Sequence, residues 1–240
     1  RYLGSYFVDI KFPIKGLSFR SNLGIDSRTV QDYEYFASAT TERQLGNSSA
    51  SNSMKKYSMI TWENYFTYNR DFKEKHSLGI TLLQSIQQDL KETLEASVQN
   101  TPSDVLKYYD LASGLLIDGV GSDYVKWNMA SFMGRINYNY WGRYLLTVSA
   151  RYDGSSRLAD GHKWVLFPAA ALAWRISDES FMKSLSWVDN LKLRLGYGKT
   201  GNSSVDPYQT RGKLGKKRYV YNNCATEIMT YAPSLMANST

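Results

Sequence analysis

From Leu17 onward the apolar residues fall on every second position, with Leu17, Phe19, Leu23 and Ile25 on one side and Ser18, Arg20, Asn22, Gly24 and Asp26 on the other. A period of two is the signature of an extended strand with one apolar flank. The same alternation predicts seven further strands. Their uncharged flanks are Tyr6, Val8, Ile10, Phe12; Ile60, Trp62, Asn64, Phe66, Tyr68; Leu78, Ile80, Leu82, Gln84, Ile86; and Ala130, Phe132, Gly134, Ile136, Tyr138. The last three are Tyr144, Leu146, Val148, Ala150, Tyr152; Leu166, Pro168, Ala170, Leu172, Trp174; and Leu191, Leu193, Leu195, Tyr197.

The opposite flanks collect Arg20, Asp26, Glu63, Arg135, Asn137, Asn139, Arg151, Asp153, Arg175, Lys192 and Arg194. Strict exclusion of charge from one side is what a membrane β-barrel requires, because Lys or Arg facing lipid at mid-bilayer costs roughly 2–4 kcal/mol. A soluble antiparallel sheet shows a weaker form of the same asymmetry.

Link lengths separate these cases. Tight links at 13–16, 69–75 and 140–143 and a moderate one at 177–190 alternate with long ones at 27–53, 88–128 and from 200 onward, 154–162 being a shorter example. Barrels of the outer membrane put short turns on one side and long loops on the other, whereas loops longer than about 12–15 residues are uncommon in compact soluble domains. The predicted fold is therefore all-β: an antiparallel transmembrane β-barrel, here a partial barrel of about eight strands, with strands and their links over 1–202 and a loop region over 203–240.

Aromatic residues agree with this layout. Phe12, Tyr68, Tyr138, Tyr140, Trp141, Tyr144 and Trp174 lie near the tight turns and Tyr57, Tyr152 and Tyr197 near the long loops, as two interfacial girdles would. Inside the longest link, Leu90–Ser97 reads as helical, and Thr101, Pro102, Ser103 and Asp104 read as a helix start before Val105–Leu111.

Mean hydropathy is −0.44, and the longest apolar run, Val165–Trp174, is half of the roughly 20 residues that a membrane-spanning helix needs. With 42% hydrophobic and 14% aromatic residues the chain is not a disordered polymer. The formal charge of +7 is spread, with no basic run longer than Lys216, Lys217, Arg218, so nucleic acid is not the expected partner. Cys224 is the only cysteine, which forbids an internal disulfide and multi-cysteine metal sites. A chain starting at Arg1 without a leader is read as a fragment.

One series of motifs is specific. Phe132, Met133, Gly134, Arg135, Ile136, Asn137, Tyr138 leads through a tight turn to Tyr144, Leu145, Leu146, Thr147 and then Arg151, Tyr152, Asp153, Gly154, Ser155, Ser156, Arg157. It continues with Trp164, Phe167, Pro168, Ala173, Trp174, Arg175, Ile176, Ser177, then Phe181, Trp187, Asp189, Asn190, Leu191, Lys192, Leu193, Arg194, and Tyr197, Gly198, Thr200, Gly201, Asn202. This order resembles the SusC/RagA family of TonB-linked outer-membrane proteins, as does Ile14 to Asp26 ahead of it. Tyr152 and the Trp141, Gly142 hairpin depart from the more polar residues expected there.

The resemblance implies a barrel of about 22 strands closed by a plug. It further implies a SusD-like surface lipoprotein as lid, drive from the TonB complex through absent N-terminal parts, outer-membrane lipid around the wall, and import of oligosaccharides or peptides. Arg20, Arg135, Arg151, Arg175 and Arg194 would project into such a lumen, either pairing with plug carboxylates or standing hydrated. Tyr108, Tyr109, Tyr124 and Trp127 fall in the longest link, where they either form a substrate or lid surface or pack the loop on itself.

Catalytic chemistry finds little footing. The two histidines, His76 at a strand start and His162 in a loop, sit beside no nucleophile, so an enzyme is not expected. Asp118, Gly119, Val120, Gly121, Ser122, Asp123 matches no calcium loop and reads as a Gly-rich turn; no metal or cofactor is expected. Three glycosylation patterns, at Asn47, Asn202 and Asn238, carry no weight. Two other readings remain open: a closed eight-stranded adhesin or anchor without transport, and a soluble carbohydrate-binding β-sandwich.

Overall fold

The computed structural model describes residues 1–38, 47–185, 187–202, 205–220 and 227–236. Ten strands follow in order: β1 (Tyr2–Lys11), β2 (Leu17–Phe36), β3 (Ser49–Phe72), β4 (His76–Gln99), β5 (Leu116–Tyr140), β6 (Tyr144–Ser155), β7 (Trp164–Arg175), β8 (Lys192–Gly198), β9 (Lys213–Val220) and β10 (Glu227–Leu235). The first eight form one sheet in which each strand pairs with its predecessor, and β9 and β10 form a separate antiparallel pair. All eight strands expected from the alternation are present.

This sheet is a single layer. Among the described residues only Ala50 and Val98 are buried apolar side chains, while Val8, Trp62, Phe66, Leu82, Phe132, Leu172 and Leu195 are exposed. A sandwich would bring the uncharged flanks together in a dry interior; that reading is excluded. The eight-stranded closed barrel is excluded too, because β1 and β8 are the sheet's two edges and are not paired with each other.

Register lines the uncharged residues up across strands. Phe132 pairs with Tyr152 and Tyr152 with Leu166; Tyr138 pairs with Leu146, Leu146 with Leu172 and Leu172 with Leu195. A slip of one residue would carry Arg135, Arg151 and Arg194 to that side, so burial in lipid specifies the register strongly. The amides admitted to the uncharged flank satisfy each other: Asn64 Nδ2 donates to Gln84 Oε1 at 2.7 Å, and Trp62 Nε1 donates to Ser21 Oγ at 3.0 Å.

The tight turns depend on backbone that side chains resist. Gly16 has φ +88°, and a Cβ there would lie 1.9 Å from the Asn69 carbonyl oxygen, so no other residue fits. Trp141 (φ 56°) and Gly142 (φ 71°) are the two left-handed central residues of the turn that Arg143 N–H closes on the Tyr140 carbonyl at 3.1 Å, within the three-residue link 141–143 between β5 and β6. Trp141 is held there by its backbone N–H, which donates to the Lys75 carbonyl at 2.6 Å, and its ring by Lys75 and Arg143, 4.8 and 4.4 Å from the ring centre. That clamp accounts for an aromatic residue where a polar one was expected.

Several expectations need correction. Leu90–Ser97 is not helical but belongs to β4. Leu90, Leu94 and Val98 recur every four residues, a spacing that satisfies both a helix and a strand, and pairing with the neighbouring strands decides for the strand. Asp118–Asp123 is not a turn but part of β5. Val105–Leu111 holds only 3-10 turns at Lys107–Tyr109 and Leu111–Ser113. Tyr57 does not join a lipid-side girdle; it lies on the charged flank with Arg28 4.7 Å from its ring centre. The links at 27–53 and 88–128 are shorter than expected because β2 to β5 reach 20 to 25 residues. Cys224, Ser203, Ser204 and Asn238 lie outside the described residues.

The chain divides into two compact units, Arg1–Tyr6, Leu23–Thr61 and Gln88–Lys126 in one, Phe7–Asn22, Trp62–Gln87 and Trp127–Thr240 in the other. In the first, the link 100–115 is folded back by named contacts. Ser48 Oγ meets Thr101 Oγ1 at 2.8 Å, Asn100 N–H donates to the Ser48 carbonyl at 2.9 Å, and the Tyr35 hydroxyl donates to the Asp104 carboxylate. In the second, the short 3-10 turns Ile176–Asp178 and Ser180–Met182 lead from β7 toward β8.

Replacing Asn64 by Leu strands the Gln84 amide on a flank without water and is expected to cost about 1–3 kcal/mol. The double variant N64L/Q84L removes both polar groups and recovers most of that loss. Reversible unfolding of the full-length protein in lipid bilayers measures the difference; additive losses would contradict the pairing.

Candidate functional site

The charged flank carries the five arginines singled out above, and the structure sorts them. Arg20 donates to Asn22 Oδ1 at 2.9 Å, lies 3.7 Å from the Asp9 carboxylate and sits 4.6 Å over the Phe7 ring. Arg151 is bound by Asp153 at 2.7 Å and donates to the buried Ser131 hydroxyl at 3.2 Å; Arg175 faces Asp178 at 3.7 Å. Arg135, opposite Ser149, and Arg194, opposite Ala173, are exposed and have no ion pair or hydrogen bond among the described residues. Two cations are thus left with their charge unanswered by the wall.

Of the four aromatic residues assigned to the longest link, only Tyr108 and Tyr109 lie in it. Tyr124 and Trp127 belong to β5. Tyr108 stacks on Tyr33 at 5.1 Å and meets Tyr109 in a tilted contact at 4.5 Å, while Trp127 lies 3.7 Å beneath the Arg157 guanidinium. Neither Tyr124 nor Trp127 joins the tyrosine stack. Tyr33 was missed because it lies in β2 beyond the stretch where alternation was clear.

A polar cavity of about 840 Å³ is formed by four strands of the first unit. Its lining includes Asp32 and Glu34 from β2, Ser53 and Lys55 from β3, Glu95 from β4 and Gly119 to Gly121 from β5. Lys55 lies 3.7 Å from Asp32. The Ser53 hydroxyl has no hydrogen-bond partner among the described residues. No sequence motif marks this groove, since its residues come from segments that read as links and converge only through strand pairing.

At the tight-turn end, Glu179 ties the 176–190 link to the sheet. Its carboxylate accepts from the Tyr144 hydroxyl at 2.7 Å, the Trp174 indole at 3.0 Å and Arg143 at 3.1 Å. The Tyr144 hydroxyl, then the Trp174 indole, then Arg143 hold this carboxyl below its usual value of 4.5, against the opposing effect of burial. Beside this knot Tyr140, Tyr144 and Trp174 stack in sequence along the uncharged flank, at 6.1 and 6.4 Å. His76 bonds the Tyr138 hydroxyl at 2.6 Å, and His162 N–H closes a turn on Ala159.

Among the described residues no three His, Cys, Asp or Glu side chains converge as metal ligands. Among the described residues no helix is long and apolar enough to cross a membrane.

Residues 6–235 match a family model described as TonB dependent receptor-like, beta-barrel. TonB-dependent receptor P26 of Formosa agariphila is 32% identical over 216 residues, covering 89% of this chain and 22% of the relative. TonB-dependent receptor SusC of Bacteroides thetaiotaomicron is 44% identical over 77 residues, 32% of this chain and 8% of that protein. The solved RagAB peptide transporter shares the fold with a TM-score of 0.85 at 20% identity, covering 98% of this chain and 26% of the other. The chain therefore spans about a fifth of the length of P26 and a quarter of the solved transporter chain.

Because the Glu179 carboxyl is held low in the folded state, its stabilising contribution is complete above pH 4.5 and is lost as pH falls through the lowered value. Amide exchange over 176–191, corrected for intrinsic rates, is expected to rise in that acid range. In the Glu179→Gln variant the link is expected to exchange fast at every pH. A link that stays equally protected in the variant would show that this carboxylate does not hold it.

Proposed function

Because this chain belongs to the TonB dependent receptor-like β-barrel family, we propose that it is a middle-to-late part of the wall of an outer-membrane importer that takes up oligosaccharides or peptides with energy from the TonB complex. The observation that carries this reading is a single-layer sheet whose exposed flank bears no charge over the central stretch of each of its eight strands, the Lys56–Glu92 pair and Arg70 lying toward the strand ends. Water would leave that flank unsupported; hydrocarbon matches it.

In this reading β1 and β8 adjoin further strands of a larger barrel in the outer membrane of a Gram-negative bacterium. The tight turns face the periplasm, and 203–240 belongs to the loop region outside. A SusD-like surface lipoprotein covers the loop side, and transport rather than catalysis is the activity. The SusC/RagA-like motif series and the named relatives support this arrangement. Arg135 and Arg194, without partners in the wall, meet carboxylates of a plug that must be held and released. Tyr109 and Tyr108, the latter stacked on Tyr33, offer aromatic surface to cargo or lid on the loop side.

The native full-length protein is expected in the outer-membrane fraction, with electrophoretic mobility that changes on boiling, and with uptake of its cargo that stops when TonB is removed. Uptake that persists without TonB, or recovery in the aqueous fraction, would overturn the proposal. Arg135→Glu with Arg194→Glu is expected to loosen the plug, seen as faster hydrogen exchange there; unchanged exchange and uptake would remove the arginines from that role.

A further inference from the structure

We propose that the free edge of β5 binds an extended cationic peptide, which adds to the sheet as a further strand; treating that peptide as cargo rests on the importer reading above. The β5–β6 pairing stops at Met129↔Ser155, where β6 ends, yet β5 extends to Leu116. Past that point its only neighbour in the sheet among the described residues is β4.

Which backbone groups face the gap can be counted. The Asn128 carbonyl accepts from Ser156 N–H at 3.0 Å and the Asn128 N–H donates to Ser156 Oγ at 2.9 Å, so Asn128 faces the β6 side. Steps of two place Tyr124, Ser122, Val120 and Asp118 on the same side. Tyr124 N–H donates to the Asp123 carboxylate at 3.0 Å, a local partner where a strand is missing. All residues from Leu116 to Tyr124 are exposed. Such an edge is a template for strand addition, and between 116 and 124 it carries none of the lysines or prolines that protect edges.

Charge selects the occupant. The cavity bordering this edge at Gly119, Val120 and Gly121 also holds Asp32, Glu34, Glu95 and Lys55. Lys55 is engaged by Asp32, and Glu34 and Glu95 have no cationic partner among the described residues. With Asp118 and Asp123 the surroundings are acidic in a chain whose formal charge is +7. An added strand turns alternate side chains toward that face, where a Cβ placed on Gly121 would meet nothing within 4 Å. Basic residues at alternate positions would come within reach of Glu95 on the adjoining β4 and stand in the field of Glu34 on β2.

The test uses the full-length protein in detergent and two labelled peptides, one alternating lysine with valine and one alternating glutamate with valine. The lysine peptide is expected to bind and to slow amide exchange at Val120 and Ser122, the glutamate peptide to do neither. Val120→Pro removes an edge donor without touching the β4 ladder, a position where proline is tolerated, and is expected to weaken binding about tenfold. Glu34→Gln with Glu95→Gln is expected to erase the preference for lysine while leaving the fold, followed by mobility on boiling, unchanged. Equal binding of both peptides, or no effect of either variant, would overturn the proposal. So would slow exchange at Val120 and Ser122 without peptide, since another segment of the same protein would then cover the edge. Binding is read without transport, so loss of TonB-dependent uptake bears on the importer reading alone.

Discussion

A backbone surrounded by hydrocarbon has no water to accept its hydrogen bonds, so every N–H and C=O must be answered from within the protein. The continuous ladder from β1 to β8 does this in one layer, which leaves side chains to divide by flank. One flank is uncharged along the central stretch of each strand, as the wall of a transmembrane barrel requires, and the other holds every arginine singled out above. The Asn64–Gln84 amide pair and the Trp62–Ser21 bond apply the same rule to side chains. Where strands leave the hydrocarbon the rule relaxes. There β5 runs on without β6, and an edge can stay open because water serves it.

The tight-turn ends are fixed by local chemistry rather than by a core. Gly16 permits a backbone approach that a side chain would block, and Trp141 holds a left-handed conformation between Lys75 and Arg143. Glu179 then joins Tyr144, Trp174 and Arg143, so the aromatic residues at this end are bonded as well as stacked. An amphipathic ring with its polar atom bonded at the membrane surface suits an interface where one side is apolar and the other wet.

The charged flank is uneven, and that unevenness is where function enters. Arg20, Arg151 and Arg175 are answered within the wall, whereas Arg135 and Arg194 are not. The cavity lined by Asp32, Glu34 and Glu95 reverses the overall positive charge of the chain. A wall that only enclosed water would need neither feature. Unmatched cations and an acidic groove are groups available to something that the sheet itself does not supply.

Alternation alone determined much of this protein: eight strands, their flanks and the tight turns between them were legible, because the side-chain period of two is local and lipid enforces it at each position. The motif series from Phe132 to Asn202 pointed to the family for the same reason, being continuous in sequence. Leu90–Ser97 was not legible, since a four-residue spacing fits helix and strand equally and only pairing with β3 and β5 decides between them. Nor was the step where β6 ends and β5 continues, or the groove that gathers Asp32, Lys55 and Glu95 from three strands. Those depend on which residues lie opposite one another, and register is a property of paired strands rather than of any one segment.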